Sequence, residues 1–302
     1  MMKTKKNKGF LQIISIASIP IFLIACTSAP LPTSNKLDVT VSILPQKYFV
    51  ERIGGDVVNV NVMVAPGEEP HTFEPQPSQM QALSTSQVYF TIGVEFENAW
   101  LNKFKDANPN LQFVDSSAGI EKIAISGDEH TSAEAGTDAH GDLDPHIWLS
   151  PANVKIIAQT IASALSDMDR EHDAIYQNNL DAFLQDIDRL DQEISSSLKS
   201  LPSRQFITFH PAWGYFARDY NLEQIAIEVG GNEPSAAELA DLISFARQHD
   251  IHFIFAEPEF STKSAETIAQ DIGGEVILIS PLEENWIENM NLIAKSLNQV
   301  LH

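Results

Sequence analysis

Three of the nine histidines in this chain stand where α/β proteins place ligand-binding side chains, at or near the ends of predicted strands and helices. His71 follows a predicted strand in a loop rich in proline, His146 precedes a predicted helix, and His210 directly follows another predicted strand. Neutral imidazoles suit Zn2+, and three of them at one point would form most of a tetrahedral site. Each histidine alone is better explained as a hydrogen-bonded structural residue. Their distribution over both halves of the chain indicates convergence on one cation.

The segments around these histidines alternate between two kinds of pattern. Short apolar runs rich in β-branched residues predict strands, and amphipathic segments between them predict helices, which together indicate parallel sheets with helices on their faces. We therefore predict a small α/β lobe in each half of the chain. The predicted strands are 39–43, 57–64, 88–92 and 111–114 in the first half, and 206–209, 224–228, 252–256 and 276–279 in the second.

A third pattern separates the two halves. Apolar residues recur there at spacings of four and three, which predicts one helix of roughly 26 residues, about 40 Å long, laid along both lobes. A coiled-coil dimer would need the same stripe and is the alternative. The predicted organisation is a lobe at 37–170, a connecting helix at 171–201 and a second lobe at 202–302. The stripe consists of Tyr176, Leu180, Phe183, Ile187, Leu190, Ile194, Leu198 and Leu201.

The amino-terminal segment has the features of an export signal. Four lysines precede an uncharged, mostly apolar run at 10–24, which is too short to span a bilayer comfortably. The run ends in Leu-Ile-Ala-Cys, which resembles the bacterial lipobox, so we expect Cys26 to be lipidated after removal of residues 1–25. Residues 26–36 then form a tether. A buried core cysteine or an ordinary membrane anchor are the alternatives.

Charge and cysteine content exclude several classes of protein. With 19 basic against 41 acidic residues the chain carries a formal charge of −22, which removal of residues 1–25 would change to −26. Such a charge repels phosphate backbones, so we expect no nucleic-acid partner. A single cysteine permits neither an internal disulfide nor a zinc site built from several thiolates.

One acidic segment, 127–144, contains His130 and His140 but no lysine or arginine. Its composition cannot form a packed core and predicts a surface loop. We consider two interpretations of this loop. It is either a weak secondary metal site that gathers cations electrostatically, or a solvated acidic loop without such a role.

Six motifs, in this order, resemble those of the metal-binding lipoproteins of bacterial ABC importers, specifically the zinc-uptake branch of the zinc and manganese cluster. The resemblance covers essentially the whole chain. It implies two Rossmann-like α/β lobes with parallel sheets, joined by one long rigid helix, with the metal in the cleft between them. The motifs are Ile53-Gly54-Gly55-Asp56, Pro66-Gly67 through Pro70-His71-Thr72-Phe73-Glu74-Pro75, Asp144-Pro145-His146-Ile147-Trp148-Leu149-Ser150-Pro151, His210-Pro211-Ala212-Trp213-Gly214-Tyr215-Phe216, Glu233-Pro234-Ser235 and Glu257-Pro258-Glu259-Phe260-Ser261.

The resemblance also implies a ligand set. His71 and His146 would be ligands from the first lobe and His210 from the second. Manganese binders of this kind usually have a carboxylate in place of His210, so Zn2+ is favoured, with Mn2+ or iron as the alternative. At the fourth position relatives have an aspartate, whereas this chain has Ser280. A water molecule, or one of the carboxylates of Glu69, Glu259, Glu283 and Glu284, is then the expected fourth ligand.

The expected function is capture of Zn2+ outside the cytoplasmic membrane and its delivery to an ABC permease driven by a separate ATPase. We expect a monomer held at the membrane by its lipid. The competing interpretation is a zinc-dependent hydrolase, because three protein ligands and a water also describe a catalytic zinc. The chain contains neither a His-Glu-x-x-His pair nor a Gly-x-Ser-x-Gly elbow. A surface adhesin is a third interpretation, which would not explain the histidine loops.

Overall fold

A computed structural model describes residues 36–125, 143–228, 234–260 and 262–302. Among these residues, no helix is both long enough and apolar enough to cross a membrane. Two four-stranded parallel sheets, each covered by helices, confirm the predicted two-lobe α/β fold.

The first lobe is built on a sheet with strand order β2-β1-β3-β4. All four strands were predicted, with ends that differ by at most two residues. Gly54 and Gly55, in the first of the six motifs, make the turn into β2: a Cβ on Gly54 would lie 2.4 Å from the Val58 side chain, and Gly55 has φ +56°. The elements are β1 Leu37–Val41, α1 Leu44–Gly54, β2 Val58–Val62, α2 Pro77–Leu83, β3 Val88–Thr91, α3 Glu95–Ala107 and β4 Gln112–Asp115.

The second lobe repeats this arrangement with strand order β6-β5-β7-β8. Its helix α7 begins with a capping box, in which the Ser235 hydroxyl accepts from Glu238 N and the Glu238 carboxylate accepts from Ser235 N. The elements are β5 Gln205–Thr208, α6 Gly214–Tyr220, β6 Glu223–Ala226, α7 Ala236–Gln248, β7 Phe253–Ala256, α8 Lys263–Ile272, β8 Glu275–Leu278 and α9 Trp286–Leu301.

Helices α4 (Pro151–Met168) and α5 (Asp173–Leu198) connect the lobes. Ser150 caps α4 by accepting from Asn153 N, and Pro151 occupies the first helical position. Helix α5 has 26 residues, and its apolar stripe is buried against α1, α4 and α9 of the same chain. The stripe is therefore buried within the chain and needs no coiled-coil partner to cover it.

The core is continuous from the first lobe into the second. One hydrophobic cluster joins Phe49 of α1 and Phe183 of α5 to Phe216 and Trp286 of the second lobe. A smaller cluster lies between the second sheet and helices α7 and α8. Because buried side chains pack closely, this shared core restricts how far the lobes can move apart.

Candidate metal centre

His71 lies in the loop after β2, at the carboxyl end of the first sheet. A turn at Gly67, where φ is +79°, reverses the chain, and the Glu69 carboxylate accepts from His71 N at 2.6 Å. Glu95, the first residue of α3, places its carboxylate oxygen 2.9 Å from His71 Nδ1. Glu69 thus holds the backbone at His71, and Glu95 orients the imidazole.

His146 lies immediately before a short 3-10 turn, Ile147–Leu149, that leads into α4. One oxygen of Asp144 accepts from both His146 N and His146 Nδ1, each at 2.8 Å. The Asp144 side chain is completely buried, and that of His146 is 5 % exposed. This pair is therefore a compact unit that the backbone and the side chain define together.

His210 follows β5 directly, in the second lobe. Its Nδ1 is 2.6 Å from a carboxylate oxygen of Glu228, which follows the neighbouring strand β6. Its backbone nitrogen donates to Glu257, at the end of β7, and burial raises the pKa of Glu257 to about 8. Adjacent strands of one parallel sheet thus supply the ligand candidate and both of its supports.

The three imidazoles meet at their Nε2 atoms. His210 Nε2 is 3.2 Å from His71 Nε2 and 3.2 Å from His146 Nε2. Two nitrogens bound to a tetrahedral zinc at the usual bond length would lie about 3.3 Å apart. In the described residues, these three histidines form the one group of three or more metal-ligating side chains whose donor atoms lie within 4.8 Å of one another.

A carboxylate stands at each Nδ1, and this fixes the chemistry of each Nε2. An ionised carboxylate can only accept a hydrogen bond, so a neutral ring in each pair carries its proton on Nδ1 and directs an Nε2 lone pair at the shared point. Three lone pairs directed at one point attract a cation. The supporting carboxylates belong to Glu95, Asp144 and Glu228.

The electrostatic environments of two of these histidines differ. Burial lowers the pKa of His210, and the neighbouring His146 and His71 lower it further, against the opposing effect of Glu228. Burial also acts to lower the pKa of His71, but the hydrogen bond and charge of Glu95 outweigh it, so that pKa is raised. Zinc must therefore compete with protons more strongly at His71 than at His210.

The space enclosed by the three imidazoles is small. A cavity of about 10 Å³ lies between them, and Phe260 closes one side by stacking on His210 with ring centroids 4.6 Å apart. A single ion fits such a volume, and an organic molecule does not. The cavity is also lined by Pro70, Val94, Pro145, Trp148, Pro281 and Leu282.

The four carboxylates considered for the fourth position differ in their partners. A Glu69 oxygen is 3.9 Å from His71 Nε2. Glu259 accepts from the Ser280 hydroxyl, and Glu284 forms an ion pair with Lys47 at 2.5 Å. Glu283 lines a separate groove beside Ser280.

The three orienting carboxylates were missed by sequence reasoning, although two had a detectable signal. Asp144 is two residues from His146, a spacing that allows a local side-chain contact. Glu228 ends a predicted strand, where an acidic side chain meets the end of a neighbouring strand in a parallel sheet. Glu95 had no such signal, because its contact depends on the path of the His71 loop.

Two other predicted sites lie outside the described residues. These are the lipidation site at Cys26 and the secondary metal loop with His130 and His140.

Comparison with known proteins agrees with this fold. A family model described as zinc-uptake complex component A, periplasmic, matches residues 39–300. A putative metal-binding protein of Treponema pallidum is 30% identical over 282 residues, which are 90% of this chain and 89% of that protein. The zinc-binding lipoprotein AdcA of Streptococcus pneumoniae is 27% identical over 92% of this chain, and the match spans only 58% of the length of AdcA.

Two solved structures are similar over most of the chain. A crystal structure of ZnuA has 46% identity and a TM-score of 0.81, and covers 88% of this chain and 100% of its own. A zinc-bound deletion mutant of ZnuA, lacking 138–173 in its own numbering, also has 46% identity and a TM-score of 0.81, with coverage of 88% and 98%.

The two-lobe fold defines a solute-binding protein of a metal ABC transporter. The chain belongs to the family of zinc-uptake complex component A, periplasmic. It is accordingly a zinc-binding protein of ABC zinc import and not an enzyme, and the family implies a permease and an ATPase as partners. Neither the manganese or iron alternative nor the hydrolase interpretation is favoured.

Proposed function

We propose that His71, His146 and His210 bind one Zn2+ through their Nε2 atoms and that the chain carries this ion to the permease. The observation that supports this most directly is the carboxylate on every Nδ1, which leaves three Nε2 lone pairs facing one point. Outer carboxylates of this kind orient histidine ligands and raise their basicity. Zinc is the cargo, so no covalent chemistry is required.

We propose water as the fourth ligand, held between the ion and the Glu69 carboxylate. Glu69 is 3.9 Å from His71 Nε2, but it is not among the residues whose donor atoms all lie within 4.8 Å. Direct coordination would require this carboxylate to leave His71 N and Thr72, from which it now accepts. A water between Glu69 and the ion preserves those hydrogen bonds.

Two further sites belong to segments outside the described residues. We propose that Cys26 carries the lipid that holds a monomeric protein at the outer side of a bacterial membrane; the relative AdcA is called a lipoprotein. His130 and His140 are proposed as a weak secondary metal site on the acidic segment 127–144, whose charge would raise the local cation concentration.

Calorimetric titration with Zn2+ tests the ligand assignment. Purified wild-type protein should bind one ion tightly, and alanine at any one of His71, His146 and His210 should weaken binding more than about 100-fold, since loss of an outer partner alone costs about 10–100-fold. The matched control is His252→Ala, because His252 is an exposed histidine of the second lobe outside the cleft. Undiminished affinity in the variant lacking all three histidines would exclude this assignment.

A second titration decides the fourth ligand. With water in that position, Glu69→Gln should change zinc affinity by less than about tenfold, because the amide retains a hydrogen-bonding oxygen. A loss as large as that of a histidine variant would instead show that Glu69 binds the ion directly.

A further inference from the structure

The loop that carries His146 is attached to the second lobe, although it belongs to the first lobe in sequence. Helix α6 begins four residues after His210, and its side chains contact both ends of the loop 144–150. One short segment of chain therefore carries one proposed zinc ligand, His210, and contacts both ends of the loop that carries another, His146.

Tyr215, on the first turn of α6, contacts the beginning of this loop. Its side chain is fully buried, and its hydroxyl donates to Asp144 O at 2.9 Å and accepts from Ile123 N at 3.2 Å. Asp144 N in turn donates to Ile123 O at 2.9 Å. Two of these hydrogen bonds attach the chain on either side of residues 124–143 to the Tyr215 hydroxyl, and the third joins the two sides to each other.

Asp144 transmits this attachment to the metal centre. The backbone carbonyl of Asp144 accepts from Tyr215, and one oxygen of its carboxylate accepts from both His146 N and His146 Nδ1. A displacement of the Asp144 backbone therefore displaces the His146 ring. Because Asp144 is completely buried, the strength of its hydrogen bonds is not reduced by solvent.

The other end of the loop is attached one turn further along α6. The Ser150 hydroxyl donates to Asp219, whose carboxylate is paired with Arg218 at 2.7 Å. Ser150 is also the cap of α4, so this contact sets the direction in which the helix leaves the site.

We propose that Tyr215 is a positioning residue for zinc binding, which acts through Asp144 to place His146 Nε2 beside His210 Nε2. The proposal rests on the proposed function of the three histidines. His210 and Tyr215 are five residues apart in one segment. This segment therefore positions His210 directly and His146 through Tyr215 and Asp144. The 3.2 Å separation of the two Nε2 atoms depends on this shared support.

The test compares two tyrosines of the same helix in the complete protein. Tyr215→Phe removes only the hydroxyl and should lower zinc affinity about tenfold, at the lower end of the effect of losing an outer partner. It should also give His146 a population with the proton on Nε2, seen in the 15N spectrum of the metal-free protein. The control is Tyr220→Phe, because Tyr220 is also buried and donates to Asp191, away from the site.

A merely structural role predicts a different pattern, in which both variants lower the melting temperature but leave zinc affinity and the His146 tautomer unchanged. That result would overturn the proposal. If Tyr215→Phe fails to fold, Asp219→Ala is tested instead, because it releases the other end of the loop. Asp219→Ala should then lower zinc affinity. An unchanged affinity in that variant would also overturn the proposal. Failure of the histidine assignment is distinguishable, because it would appear in the His146→Ala and His210→Ala variants.

Discussion

Each proposed zinc ligand is an imidazole that is paired with the carboxylate that orients it. The pairs are unequally exposed: the side chains of His71 and Glu95 are 27 % and 46 % exposed, whereas both other histidines are almost completely buried. A charged partner near solvent raises the pKa of His71, and burial lowers that of His210. At this scale the pairing determines which ligand must lose a proton when zinc binds.

Zinc affinity is therefore expected to fall in acid. Each imidazole of ordinary pKa, about 6.5, weakens binding about tenfold between pH 7.5 and 5.5 as it becomes protonated. Because the pKa of His71 is raised, zinc should have to displace a proton from His71 at a higher pH than from an imidazole of ordinary pKa. Glu95→Gln removes the charge that raises this pKa, so the variant should release fewer protons on binding zinc.

Calorimetry in two buffers of different ionisation enthalpy measures this proton release. The control is Glu74→Gln, an exposed carboxylate in the same loop. Equal proton release by Glu95→Gln and wild-type protein would disprove the assignment of the proton to His71.

The elements were predictable where the local pattern determines the structure. The apolar stripe from Tyr176 to Leu198 predicted α5, because apolar residues spaced three and four apart are typical of an amphipathic helix and of few other structures. Strand ends were less predictable, since the last residue of a strand depends on its neighbour in the sheet. Helix α1 was not predicted, although Pro45 stands in its first turn, a frequent position for proline at a helix start.

Helix α5 should contribute strongly to stability. Phe183 is completely buried, and its ring centroid is 5.9 Å from that of Phe49 on α1. Phe183→Ala should lower the free energy of unfolding by about 3–5 kcal/mol, because it leaves a cavity in the shared core. Gln185→Ala, on the exposed side of the same helix, should change it by less than about 0.5 kcal/mol. Urea denaturation of the metal-free protein checks both values; similar losses for the two variants would contradict this packing.

At the scale of the whole molecule, the lobes and the connecting helices bring together residues that are far apart in sequence. His71 and His210 are separated by 139 residues, and no periodicity in the sequence predicts their contact. The positions of the histidines at element ends in both halves of the chain indicated convergence on one cation, and the family resemblance supplied the ligand set. The Tyr215 attachment was beyond sequence reasoning, because it depends on how α6 of one lobe meets a loop of the other.

The central claim is that one zinc ion is bound by three histidine nitrogens in the cleft. A crystal structure of the zinc-loaded protein, with anomalous data collected on both sides of the zinc absorption edge, identifies the ion and all of its ligands together. We predict one strong anomalous peak about 2.0–2.1 Å from Nε2 of His71, His146 and His210, with a water as the fourth ligand. A peak elsewhere, or one lacking any of these three nitrogens, would contradict this account.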